Sequence, residues 1–94
     1  MDIKYVLELV GRKFIENNID FAIVGGVALS YYVKPRMTID LDLMILTSDF
    51  ELIENILKTI GYKCEYKSED IATFLSKETQ LGRIDFQIDI APRL

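Results

Sequence analysis

Histidine is absent from this sequence of 94 residues, and cysteine occurs only once, at Cys64. Without histidine the chain has no Ser-His-Asp or Cys-His triad, no histidine general base and no zinc site with histidine ligands. A single cysteine allows neither an internal disulfide bond nor an all-cysteine metal site, which suits a reducing compartment. The absence of histidine and the single cysteine therefore exclude several common classes of hydrolase and of metal site.

Positive charge is also scarce. The sequence has 11 Lys and Arg residues against 15 Asp and Glu residues, which gives a net charge of −4. Broad binding of a DNA or RNA backbone needs a basic face and is not expected. Divalent cations would still let an acidic protein bind a polyanion. Asp2 and Glu8 interrupt any apolar run that could open a signal peptide, and no uncharged stretch is long enough to span a membrane. We therefore expect a soluble, cytoplasmic protein.

Apolar spacing and turn residues predict one domain over residues 1–94. Asp2 is predicted to cap the first helix, in which Ile15 counts among the inward residues. Ser48 and Glu51 form a predicted capping box for the third helix, which ends at Gly61. The predicted helices cover about 3–17, 27–34 and 49–60, and the strands about 21–24, 39–46, 62–66, 71–76 and 83–90. This order predicts an α+β fold, or a mixed α/β sheet with helices packed on it.

Gly25 and Gly26 directly follow the short apolar strand and begin the second predicted helix. Glycine permits a sharp turn and a close approach of the backbone to a ligand, and a helix N-terminus directs unpaired N–H groups at it. Phosphate is the usual ligand in such a position. Taken alone, the pair fits an ordinary tight turn equally well.

Asp40 and Asp42 lie two residues apart on the next predicted strand, so they share one face about 6.5–7 Å apart. Such a pair can bind one or two Mg²⁺ ions together with substrate phosphates. The alternative is a solvated outer face of a half-buried strand. On the last predicted strand, Asp85 and Asp89 both point away from the apolar face. Either one could complete a three-carboxylate cluster if this strand lies beside the Asp40 strand.

The segment Ile23-Val-Gly-Gly-Val-Ala-Leu29, followed by Arg36-Met-Thr-Ile-Asp-Leu-Asp42, resembles the DNA polymerase β-type nucleotidyltransferase superfamily. The variant with Gly-Gly-x-Ala-Leu and Arg-x-Thr-x-Asp-x-Asp is similar to minimal, stand-alone members, which include abortive-infection and toxin–antitoxin types. Arg83-Ile-Asp-Phe86 matches the strand that carries the third carboxylate. The resemblance spans about residues 20–89, which is most of the chain, and implies a mixed, mostly antiparallel sheet of four or five strands.

The resemblance implies a site for Mg²⁺ or Mn²⁺ and a nucleoside triphosphate. Gly25 and Gly26 would hold phosphates, while Asp40, Asp42 and Asp85 would bind metal and serve catalysis. The implied role of Asp85, chosen over Asp89, is to bind the metal that activates the acceptor hydroxyl. Arg36 and Thr38 are the remaining candidates for nucleotide binding, and each has a simpler explanation as a surface or strand-orienting residue.

Two functions from different classes follow from these residues. The first is transfer of a nucleoside monophosphate to a protein, tRNA or small-molecule hydroxyl. The second is an inactive module of the same fold that binds nucleotide and a partner protein. The short chain favours the second, because larger members carry acceptor-recognition elements beyond the last carboxylate strand. The nucleotide, the acceptor and the formation of a homo-oligomer stay open.

Overall fold

The computed structural model describes residues 1–24 and 40–89, which form two α-helices and five strands. The helix predicted over residues 27–34 lies outside the described residues. In order along the chain the described elements are α1 (Ile3–Glu16), β1 (Phe21–Val24), β2 (Leu41–Leu46), α2 (Phe50–Thr59), β3 (Tyr62–Lys67), β4 (Ile71–Ser76) and β5 (Arg83–Asp89).

Helix α1 begins where the sequence predicts, since the backbone N–H of Tyr5 donates to the Asp2 carboxylate at 3.2 Å. Its C-cap is Asn17, and Asn18 adopts a left-handed φ of 57° that turns the chain away. The prediction that Ile15 faces inward was wrong, because this side chain is 70% exposed. Ile15 lies about 100° further round the helix than its buried neighbour Phe14 and so leaves the apolar stripe.

The capping box predicted at Ser48 was also wrong. Residues Thr47–Asp49 form a 3₁₀ turn, and α2 starts after it with Asp49 as an N-cap whose side chain makes no capping hydrogen bond. A capping box needs an extended N-cap residue, whereas the φ and ψ of Asp49 are −95° and −6°. The Thr47 hydroxyl donates instead to the carbonyl of Asp89 at 3.3 Å, which ties this turn to the end of β5. The predicted helix end was correct, since Gly61 follows α2 with a φ of 107°.

The five strands form one sheet in the order β1-β2-β5-β4-β3. Strands β2 and β5 are parallel, and the other three neighbouring pairs are antiparallel. This is the mixed, mostly antiparallel sheet that the resemblance implies. The hairpin between β4 and β5 closes at Glu78, whose carbonyl accepts from the backbone N–H groups of Leu81 and Gly82.

One face of the sheet is apolar and buried, because side chains alternate along each strand. Phe86 of β5 packs in this core against Phe14 of α1 and Phe74 of β4, with ring centroids 6.4 and 5.5 Å apart. Neither described helix is both long and apolar enough to cross a membrane. The buried strand residues of this face include Leu41, Leu43, Ile45, Ala72, Phe74, Ile84, Phe86 and Ile88. The acidic residues between them therefore lie on the opposite, open face.

Substitution of one isoleucine on each face tests this assignment. Ile84 on β5 is completely buried, whereas Ile71 on β4 is 46% exposed. We expect Ile84→Val to lower the free energy of unfolding by about 0.5–1.5 kcal/mol, because a buried methyl group is lost. The same change at Ile71 should stay within about 0.5 kcal/mol of wild type. Urea denaturation measures both, and equal losses would contradict the assignment.

Candidate active site

Two aspartates meet on the open face, where the parallel strands β2 and β5 lie side by side. Asp42 is the register partner of Asp85. Neighbouring strands are about 4.8 Å apart, so the two half-buried carboxylates point the same way from adjacent backbones. Leu41 and Leu43 are buried on the other face, which fixes the direction of Asp42 by alternation. The sequence required this pairing for a carboxylate cluster but could not establish it.

Asp40 precedes β2 and is exposed, two residues before Asp42. Its carboxylate lies 3.7 Å from Nε of Arg83, the first residue of β5. The same Nε lies 3.1 Å from Asp85. Asp40 and Asp85 are thus linked through one guanidinium group.

The carboxylate of Asp85 is held by two donors. Arg83 Nε donates to both oxygens of Asp85 at 3.1 Å, and the hydroxyl of Thr73 donates to Oδ1 at 2.7 Å. Thr73 is the register partner of Asp85 on β4. The sequence did not single out Thr73, because its position opposite Asp85 depends on the register of the β4–β5 hairpin.

The electrostatics of the site centre on Asp42. Burial raises the pKa of this carboxyl above its ordinary value, and the charges of Asp85 and Asp40 raise the pKa further, while Arg83 lowers it. The hydrogen bond to Asp85 in turn raises the pKa of Arg83, so the guanidinium stays charged. The folded chain therefore concentrates negative charge here and offsets only part of it.

Asp89 lies on the same side of β5 but well away from the cluster. Its register partner is Leu46, so it sits four residues along β5 from Asp85, a distance of about 13 Å. Asp89 lines a shallow depression of about 180 Å³ together with Met44 and Leu46. The register thus brings Asp85, and not Asp89, beside Asp42.

Four predicted nucleotide-binding residues, Gly25, Gly26, Arg36 and Thr38, lie outside the described residues. The chain enters this segment beside the carboxylates, because Val24, the last residue of β1, is the register partner of Asp42. The predicted phosphate-binding glycines therefore follow a residue that is already next to the acidic site.

Carboxylate oxygens are the donors that Mg²⁺ and Mn²⁺ prefer, so the chemistry of Asp40, Asp42 and Asp85 fits such an ion. Within residues 1–24 and 40–89, however, no three acidic, cysteine or histidine side chains converge on a point that could hold a metal. Asp42 and Asp85 lie side by side, but Arg83 engages both Asp85 and Asp40. A small side-chain rearrangement would be needed for all three to bind one ion.

Comparison with solved structures identifies the fold. The crystal structure of ANT(2″)-Ia in complex with adenylyl-2″-tobramycin has a TM-score of 0.72 and 16% identity, with 94% of this chain and 50% of that chain covered. A solution structure of the antibiotic-resistance factor ANT(2″)-Ia gives a TM-score of 0.72, 20% identity and coverage of 94% and 48%. The crystal structure of TM1012 from Thermotoga maritima, which is described as a nucleotidyltransferase, has a TM-score of 0.64 and 15% identity, with 98% of this chain and 59% of that chain covered.

The chain thus spans about half the length of these structures, and at such low identity the likeness shows the fold alone. No curated protein sequence matches the chain closely enough to count as a relative. One family model matches residues 9–93, which is nearly the whole chain, and its description is nucleotidyl transferase AbiEii toxin, type IV toxin–antitoxin system. With this match and a nucleotidyltransferase fold, the chain belongs to the AbiEii nucleotidyltransferase toxin family.

Proposed function

We propose that this protein is a metal-dependent nucleotidyltransferase, which moves a nucleoside monophosphate from a nucleoside triphosphate to an acceptor hydroxyl and releases pyrophosphate. The observation that carries the proposal is the in-register pair of Asp42 and Asp85 on the open face of the sheet. Mg²⁺ or Mn²⁺, when bound, would stabilise the attacking and leaving oxygens of the transferred phosphoryl group. Family membership supports the same reaction class.

Each candidate residue has a role in this proposal. Asp40 and Asp42 would hold the metal ions that serve the triphosphate. Asp85 would hold a metal ion and accept the proton of the acceptor hydroxyl. Gly25 and Gly26, where the sequence predicts the start of a helix, would hold the β- and γ-phosphates. Thr73 orients Asp85 through its 2.7 Å hydrogen bond, so that the carboxylate faces Asp42 when the acceptor arrives.

We further propose Arg36 and Thr38 as nucleotide-binding residues, and a protein, an RNA such as tRNA, or a small molecule as the acceptor. The solved complex of ANT(2″)-Ia holds an adenylyl group joined to tobramycin, which is a small-molecule acceptor for that protein. The family description names a toxin–antitoxin system, which supports an antitoxin as partner of this chain. Separate incubations of the protein with each acceptor class and a labelled nucleoside triphosphate would show which class receives the label.

A second candidate function is nucleotide and partner binding without transfer. It is favoured by the contacts of Arg83, which engages two of the three carboxylates, Asp40 and Asp85. Metal-dependent binding of a nucleoside triphosphate with no labelled acceptor would support this function over transfer.

Divalent metal should stabilise the folded protein if the carboxylates bind it. At a Mg²⁺ or Mn²⁺ concentration about ten times Kd, the added free energy of unfolding is about 1.4 kcal/mol, which corresponds to a rise in Tm of roughly 5–10 °C. Thermal unfolding followed by circular dichroism measures this shift. Asp42→Asn should abolish it, and an unchanged wild-type Tm at millimolar metal would count against the site.

Transfer should depend on Asp42 and not on Asp89. We expect Asp42→Asn to reduce incorporation of label from an α-labelled triphosphate, in the presence of Mg²⁺ and cell extract, by about a hundredfold or more. Asp89→Asn removes the same charge at the far end of β5 and should retain activity. Labelling that survives Asp42→Asn would remove Asp42 from the mechanism.

The metal-free protein should become more stable when Asp42 is neutralised. Because the folded-state pKa of Asp42 is raised, its contribution to stability is present below the unfolded pKa and is lost as the pH rises through the folded pKa. In EDTA at neutral pH, Asp42→Asn should therefore raise Tm. The gain should disappear at about pH 3, where the Asp42 carboxyl is neutral in both the folded and the unfolded protein. Glu65→Gln, at an exposed position on β3, is the charge-matched control. A lower Tm for Asp42→Asn at neutral pH would contradict the repulsion.

A further inference from the structure

Arg83 is placed among the three carboxylates of the candidate active site. Its Nε lies 3.1 Å from both oxygens of Asp85 and 3.7 Å from Oδ2 of Asp40, and its charge also lowers the pKa of Asp42. The ion pair with Asp40 joins β5 to the residue that precedes β2, and the ion pair with Asp85 lies within β5. A single guanidinium therefore occupies the side of the cluster that faces both Asp40 and Asp85.

The hydrogen bonds of Asp85 leave little room for another cation while Arg83 stays in place. A carboxylate has about four lone-pair sites, two on each oxygen. Oδ1 accepts from both Thr73 and Arg83, and Oδ2 accepts from Arg83. One site on Oδ2 remains, and any divalent ion bound there would lie close to the positive guanidinium and be repelled by it.

The two donors of Asp85 differ in a way that permits exchange. Thr73 is uncharged and comes from the neighbouring strand β4, so it keeps Asp85 oriented whichever cation is present. The side chain of Arg83 is 48% exposed and that of Asp40 is 47% exposed, so their ion pair is screened by water and weak. Arg83 can therefore swing into solvent while Thr73 keeps its hydrogen bond.

We propose that Arg83 is a built-in counter-cation that holds Asp40 and Asp85 together while no divalent ion is bound, and that it competes with the ion for these carboxylates. The inference rests on the proposed metal site. Arg83 is then a positioning residue that stabilises the metal-free fold and weakens metal affinity. Binding of a divalent ion requires Arg83 to give up Asp40 and Asp85.

Four proteins test this competition: wild type, Arg83→Gln, Arg83→Lys and Arg12→Gln. Arg12 is exposed on α1, which packs on the other side of the sheet, so Arg12→Gln removes the same charge away from the site. Thermal unfolding in EDTA measures the stability of the metal-free fold. Isothermal titration with Mn²⁺ alone measures metal affinity without any requirement for catalysis.

We expect Arg83→Gln to have a lower Tm in EDTA than wild type and Arg12→Gln, and this difference should shrink at high salt, where exposed charges are screened. The same variant should bind Mn²⁺ about two- to fivefold more tightly than wild type, which is the ratio equivalent to losing one exposed ion pair. Arg83→Lys keeps the charge and should lie between wild type and Arg83→Gln in both measurements.

The outcomes separate this inference from the proposed function. If wild type and Arg83→Gln bind Mn²⁺ with the same affinity, or the variant binds more weakly, the competition is wrong and the metal site stands. If neither protein binds Mn²⁺, the metal site and the competition are both wrong. An Arg83→Lys variant that matches Arg83→Gln in both measurements would also overturn the role of the charge.

Discussion

The parallel pairing of β2 with β5 is the constraint on which the candidate site depends. This register puts Asp42 beside Asp85 on the open face, and the same alternation puts Leu43 beside Phe86 in the core. A slip of one residue would turn the acidic side chains into the core, and a slip of two would set Asp42 beside Gln87 or Arg83. Burial of the apolar face therefore fixes the geometry of the polar face, because the two faces share one backbone.

Such a register brings like charges together, so the fold carries electrostatic repulsion at its candidate site. Partial burial raises the pKa of Asp42, and the charges of Asp85 and Asp40 raise it further. Thr73 and Arg83 moderate it by donating to Asp85, which disperses charge on one of the two paired carboxylates. Charged residues that destabilise a fold are commonly found where function requires them.

The sequence predicted the elements of this fold better than their junctions. Alternation predicted the strands, and Asp2 and Gly61 correctly predicted a helix start and a helix end, because each of these signals is local. The capping box at Ser48 was wrong because Thr47 bonds to the end of β5, a contact with a residue 42 positions away. Likewise, nothing local indicates that β5 pairs in parallel with β2, on which the proximity of Asp42 and Asp85 depends. The roles of these residues stay predictions, as do those of Gly25, Gly26, Arg36 and Thr38.

The position of Arg83 at an exposed strand start suits a cation that must be exchanged. A fully buried guanidinium between two carboxylates would be costly to separate, because each partner would lose its compensation in a medium of low polarity. At 48% exposure, the guanidinium finds water as an alternative partner whenever it leaves Asp40. The same exposure limits how strongly Arg83 can stabilise the metal-free cluster. Exchange and strong stabilisation are thus opposed demands, and the half-exposed pair with Asp40 favours exchange, while Thr73 preserves the orientation of Asp85 throughout.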